Sequence, residues 1–250
     1  MEELFYNECG YFPELKSESV LRILGKAEYM NENGVDPIQL RYFSGLNRLG
    51  FRRAHELMYF SFCPSCQKCK SIRIPTASFN PSKSQRRVLR MNADIDFSYN
   101  EENFLSEDKI ALYQRYTARH KGSECSRAEA VEDLKYWNGL CEDGKPVYCG
   151  TANLEYWLGD KLVAVSVIDE TDDGISSVYF YYDISSEMMK RSLGTESALV
   201  EILLCKKAEL PYYYLGYYIE DLQNMRYKAR FKPYELLCDG KWKVFGLDEK

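Results

Sequence analysis

The feature that most constrains this chain is a change of period near its middle. From residue 147 the apolar side chains fall at alternate positions through three consecutive runs, Val147–Leu158, Lys161–Ile168 and Ile175–Tyr182. Alternation of this kind marks half-buried strands. Gly159-Asp160 joins the first two runs and Asp172-Asp173-Gly174 the next pair, so neighbours in sequence are expected to be neighbours in an antiparallel sheet. An Arg191-Ser192-Leu193-Gly194 loop follows, then a helix from Thr195 to about Glu209, a strand Tyr212–Ile219 and a helix Asp221–Ala229. The end is a hairpin, Tyr234–Cys238 and Lys241–Phe245 around Asp239-Gly240, a dipeptide suited to the positive φ of a tight turn.

Upstream, the period is helical. Ser82 and Gln85 have capping-box spacing and open a helix to about Met91. Asp94–Tyr99 reads as a short strand, and Asp108 to about His120 as a helix. Ser126 and Glu129 form a second box, opening a helix through Trp137. Residues 1–80 are rich in Gly and Pro and hold four of the nine cysteines, so they are set apart as a small cysteine-containing N-terminal region. The rest, 81–250, is expected to be one domain. Its order of strands, R-x-x-G loop, helix and strand resembles the N-acyltransferase (acetyltransferase-like) fold, an α+β class.

With 45% hydrophobic residues in 250, the chain can bury a large core. A 14% aromatic content, with 21 tyrosines, excludes disorder. No apolar run approaches the roughly 18 residues of a membrane span, and Met1-Glu2-Glu3 is unlike a secretory signal. A cytoplasmic protein is expected, with no membrane partner. In that compartment nine cysteines do not form a disulfide framework. The net charge is −5, yet Lys68, Lys70, Arg73, Lys83, Arg86, Arg87 and Arg90 run without an intervening acid. That is either a solvated helix face or a local seat for an anion.

Several groups could carry chemistry. Cys63, Cys66 and Cys69 have the C-x2-C-x2-C spacing that wraps a soft metal, with Cys9 as the fourth ligand of a zinc or iron–sulfur site. Reduced structural thiols are the alternative. The Arg191–Gly194 loop precedes a helix whose free N–H groups attract anions or polarise a carbonyl. Acetyltransferases hold the coenzyme A pyrophosphate on such a loop, but Glu196 would repel it there. Tyrosines at 179, 181, 182, 212–214, 217 and 218 either pack the sheet or stack on a base. His120 ends a helix and either caps it, binds substrate or accepts a proton.

Taken together these blocks resemble a known family. Cys9-Gly10-Tyr11, the 63–69 cysteines, Ile72-Arg73-Ile74-Pro75, Ser82-x-Ser84-Gln85-Arg86-Arg87 and Arg115-Tyr116-x-x-Arg119-His120 occur in order. So do Ser192-Leu193-Gly194-Thr195, Tyr214-Leu215-Gly216-Tyr217-x-Ile219 and Met225-x-Tyr227-Lys228-x-x-Phe231-x-Pro233. The chain is similar in these blocks to the arginyl/leucyl-tRNA–protein transferases, and in length to their bacterial aspartate/glutamate leucyltransferase branch. It departs from the family at Gly10, where relatives often carry Pro, and at Tyr218, where they often carry Trp.

The resemblance implies an aminoacyltransferase that moves leucine or arginine from aminoacyl-tRNA to the α-amine of proteins beginning with Asp or Glu, marking them for degradation by the N-degron pathway. It implies no cofactor for the transfer itself. Cations in the matched blocks, Arg73, Arg119, Lys228 and Arg230, are candidates for the acceptor's carboxylate. Arg86 is a candidate for the same carboxylate and, with its helix, for tRNA phosphates. Gly194 and Thr195 are candidates for the oxyanion or the terminal nucleotide, Tyr217 for binding substrate, and His120 for binding substrate or capping its helix. Two rivals remain: a coenzyme A-dependent N-acetyltransferase, and a non-catalytic metal-stabilised RNA-binding module.

Overall fold

The computed structural model describes residues 3–25 and 34–247 and, within them, every side chain but those of Glu3, His120 and Lys121. The N-terminal part forms β1 (Glu3–Glu8), β2 (Lys16–Ile23), helix α1 (Pro37–Arg48), β3 (Arg52–Ala54) and β4 (Leu57–Ser61). Strands in the order β1-β2-β4-β3 make a four-stranded antiparallel sheet. No alternation announced it, because β2 is half-buried at nearly every position.

Next come β5 (Lys70–Pro75), α2 (Lys83–Met91), β6 (Asp96–Asn100), α3 (Glu107–Lys121), α4 (Arg127–Asn138), β7 (Thr151–Leu158), β8 (Lys161–Thr171) and β9 (Gly174–Tyr182). The chain ends with α5 (Ser186–Met189), α6 (Leu193–Lys207), β10 (Tyr212–Tyr218), α7 (Gln223–Arg226), a 3-10 turn (Tyr227–Arg230), β11 (Tyr234–Cys238) and β12 (Lys241–Phe245). Both expected capping boxes form, at Ser82 and Ser126. The eight-stranded sheet runs β12-β11-β5-β10-β9-β8-β7-β6. β5, drawn from the first 80 residues, lies inside it between β10 and β11. Ile72, Ile74, Val163, Leu199, Ile202 and Tyr213 belong to the core between this sheet and α6.

Two expected elements are shorter than read. The run from Val147 becomes a strand only at Thr151, because Gln39 occupies the intervening backbone. Its Nε2 donates to the Val147 carbonyl at 2.8 Å and its Oε1 accepts from the Cys149 amide at 2.9 Å. The helix after β10 is one α turn with no side-chain cap, followed by the 3-10 turn.

One pairing positions everything that follows. Among the described strands β9 and β10 are the parallel pair; every other ladder is antiparallel. They are joined through α6, and they pair only at Tyr212↔Gly174, Tyr213↔Ile175 and Tyr214↔Ser176. Gly174 permits this closure, since a Cβ there would stand 1.9 Å from the Tyr212 carbonyl oxygen. Beyond Tyr214 β10 carries a bulge and stays paired with β5, and β9 and β10 part. The sheet is thus zipped at one end and open at the other, the α+β arrangement expected of an N-acyltransferase.

Candidate active site

The open end of the β9–β10 wedge is a cavity of about 610 Å³. β9 supplies Ser177, Val178, Tyr179, Phe180 and Tyr182, and β10 supplies Leu215, Gly216 and Tyr217. The first turn of α6 closes one side with Ser192, Leu193, Gly194 and Thr195. Tyr116 and Arg119 enter from α3, and Asn224, Met225, Tyr227 and Lys228 from the segment after β10. The N-terminal sheet reaches in with Arg52 and Tyr59, joined by Tyr11.

Arg52 is 8% exposed and faces the wedge. Its Nη1 donates to Ser176 Oγ at 2.8 Å and its Nη2 to the Ser177 carbonyl. Neither partner carries charge, and burial depresses its pKa. Lys228 Nζ donates to the Tyr217 carbonyl at 2.7 Å. Burial, then repulsion from Arg52, pull the Lys228 ammonium down to about 7. Gly216 sits at φ +87, and a Cβ added there would lie 3.5 Å from Lys228 Nζ and 3.6 Å from Arg52 Nη2. The positive φ accounts for glycine here, beside both groups. Arg119, exposed at the rim, lies over the Tyr182 ring at 5.4 Å. Among the described residues no Asp or Glu lines the cavity.

Of the residues proposed from sequence, Arg119, Gly194, Thr195, Tyr217 and Lys228 meet here. Tyr217 is buried, and its hydroxyl accepts from the Ser61 amide at 3.0 Å. The Thr195 amide is already bonded to the Ser192 carbonyl at 2.8 Å, while the Gly194 amide makes no turn or cap bond among the described residues and Gly194 lines the wedge. The side chain of His120 lies outside the described residues. Arg73 does not line the cavity. It is bonded to Glu235 at 2.6 Å and packed on Tyr212 at 3.5 Å and Trp242 at 4.2 Å. Arg86 is exposed on α2, and the Arg230 carbonyl ties to Gln85. Glu196, expected beside the loop, is turned away by the helical twist and accepts from Asn92 Nδ2 at 3.3 Å. It therefore sets no barrier to an anion at the cavity. Arg52 and Tyr59 were not foreseen.

The four cysteines expected to converge do share a region. Burial raises the Cys69 thiol to about 12, and Cys9, Cys63 and Cys66 add to the rise through their charge. Cys63 Sγ accepts from the Glu18 amide at 3.5 Å, and Cys66 N donates to Cys63 O at 3.0 Å. Among the described residues, however, no three His, Cys, Asp or Glu side chains are grouped to hold a metal ion. No step below is routed through a metal. Cys69 and Cys9 also act on Tyr11, so the cysteine region abuts the cavity wall.

Residues 7–87 match the family model for the arginine-tRNA-protein transferase N terminus, and residues 108–238 match that for its C terminus. The chain belongs to the arginine-tRNA–protein transferase family. The enzyme is therefore an aminoacyltransferase. It is 40% identical to the aspartate/glutamate leucyltransferase of Gluconacetobacter diazotrophicus, across 83% of this chain and 77% of that one. It is 33% identical to the Marinobacter nauticus leucyltransferase, across 97% and 94%. Among solved structures, L-PGS from Bacillus licheniformis is similar with a TM-score of 0.46, at 11% identity over 72% of this chain and 59% of that one. No described helix of the transferase is long and apolar enough to cross a membrane.

Proposed function

We propose that this transferase moves leucine from leucyl-tRNA to the α-amine of proteins whose first residue is Asp or Glu, marking them for degradation in the cytoplasm by the N-degron pathway. One observation carries the reading: the cavity holds Arg52, Arg119 and Lys228 with no lining acid among the described residues. A buried cation without a counter-ion is costly, and a carboxylate from the acceptor offsets that cost when it binds. Arg52 is the anchor, because a planar guanidinium can grip a carboxylate with two parallel bonds that an amide cannot reproduce. An arginyl donor would bring a further guanidinium beside Arg52 and Arg119, with no lining acid among the described residues to pair it. Val178, Phe180, Met189, Leu193 and Leu215 offer a leucyl side chain an apolar wall.

The ester of aminoacyl-tRNA is already activated, so orientation is the enzyme's main task. The acceptor amine meets the carbonyl in the wedge, and the Gly194 amide at the start of α6 supports the developing oxyanion. Outside the wedge, the exposed cations of α2 suit the phosphates of the acceptor stem. The test is to incubate the purified protein with leucyl- or arginyl-tRNA and peptides beginning with Asp, Glu, Asn or Gln. Asp and Glu peptides should gain the mass of leucine. Transfer of arginine, or equal transfer to Asn peptides, would overturn the assignment.

A further inference from the structure

We propose that Lys228 is the proton acceptor of the transfer reaction, while Arg52 alone holds the acceptor's carboxylate. The inference rests on the reading above and deepens it.

Aminolysis of an ester needs a base. When the neutral α-amine bonds to the ester carbonyl carbon, its nitrogen becomes positively charged and must lose a proton before the C–O bond breaks. The groups sharing the cavity limit what can take that proton. Arg52 from β3 and Arg119 from α3 are guanidiniums, which stay protonated. Tyr11, Tyr59 from β4, Tyr116 from α3, Tyr179 from β9, Tyr217 from β10 and Tyr227 are phenols held protonated by burial, and the other lining tyrosine, Tyr182 from β9, is a phenol beside the Arg119 guanidinium. No Asp, Glu, His or Cys is among the described lining residues. Lys228 remains. Its Nζ is fixed by one bond to the Tyr217 carbonyl, beside Gly216 at the mouth of the wedge, with a lone pair to offer when neutral.

Burial first and repulsion from Arg52 second bring the Lys228 pKa down to about 7, so a large share of the free enzyme carries it neutral near that pH. A carboxylate docking on Arg52 weakens that repulsion, so the correct acceptor makes Lys228 a stronger base. The step balances. The new C–N bond forms, Lys228 takes the proton from nitrogen, the ester C–O bond breaks, and Lys228 returns the proton to the departing ribose oxygen.

Wild-type transfer to an Asp peptide is the first measurement, and its absence would fail the underlying reading rather than this one. With transfer established, log kcat/KM should fall with slope two below pH 7 and slope one between about 7 and 8, where the free α-amine titrates. The limb near 7 belongs to Lys228. It should stay fixed when peptides of different amine pKa are used, while the upper limb moves with the peptide. K228R is charged at every assay pH and cannot accept a proton. It should bind the Asp peptide no more weakly than wild type, lose about 100-fold or more in kcat/KM, and show only the upper limb. K228Q should show the same loss, and H120A should retain both limbs. Wild-type turnover in K228R, or a limb near 7 that tracks the peptide or vanishes in H120A, would overturn the proposal.

Discussion

Arg52 and Arg53 are neighbours on β3, equally buried, and opposite in what surrounds them. The strand pleat sends them to opposite faces. Arg53 enters a closed region. Its Nε meets Asp169 at 2.8 Å, its Nη2 donates to the Trp137 carbonyl at 3.0 Å, and Asp169 also accepts from Thr151 Oγ1 at 2.8 Å. Arg52 enters the open wedge, where its hydrogen bonds go to a hydroxyl and a carbonyl and the Asp169 charge reaches it without a hydrogen bond. A buried charge that is fully paired belongs to the architecture. One left without its counter-ion, on the wall of a cavity, is set for a ligand.

The largest effect expected from this comparison is on the closed side. Arg53→Met strands Asp169 in the interior without a cation and should cost about 3–5 kcal/mol of stability. Urea unfolding of the purified variant measures it, and a loss below about 1 kcal/mol, the scale of an exposed pair, would remove the distinction between the two faces.

On the open side the effect should fall on chemistry instead. Arg52→Gln removes a cation that has no directly bonded acid and leaves Asp169 paired with Arg53, so stability should hold or rise. What is lost is the acceptor carboxylate's partner, about 2–5 kcal/mol in kcat/KM for Asp peptides, with little change for Asn peptides. Parallel assays of the two peptides, with urea unfolding as control, read both quantities. Should Arg52→Gln unfold as readily as Arg53→Met, Arg52 is structural and the comparison collapses.

The sequence could not separate these two residues. Arg52-Arg53 lies in a Gly- and Pro-rich stretch where no alternation marks β3, and only its pairing with β4 decides which arginine faces Asp169. The C-terminal half was legible because local rules govern it. The capping boxes at Ser82 and Ser126 and the Asp239-Gly240 hairpin each depend on a few adjacent residues. The same holds for part of the site: Gly194, Tyr217 and Lys228 sit in local motifs that end on the wedge. Arg73 sits in an equally good motif, yet its fate is set by Glu235, 162 positions away. Charge and spacing name candidates, while long-range pairing decides which cations are left for a ligand.

The smallest effect concerns cations that are unpaired but exposed. Lys83, Arg86, Arg87 and Arg90 stand on the solvent face of α2. Gln85 is buried and caps the helix, and Val88 and Leu89 pack on the core. Water already solvates these four charges, so lacking an acid costs them almost nothing, unlike Arg52. Their contribution to binding tRNA is counterion release, which salt suppresses, whereas a contact buried with Arg52 is shielded from salt. Replacing Arg86 and Arg87 with Ala should leave stability and the Asp-over-Asn preference unchanged. It should weaken tRNA binding modestly and flatten the plot of log K against log salt by about 0.9 for each phosphate contact removed. Titrating labelled tRNA at several salt concentrations measures that slope. Arg52→Gln, titrated alongside, should leave the slope as in wild type. If the slope stays unchanged in the α2 variant, the duplex lies on another face. If it changes as much in Arg52→Gln, the wedge itself receives phosphate, and the division between a salt-sensitive outer surface and a sheltered inner cation fails.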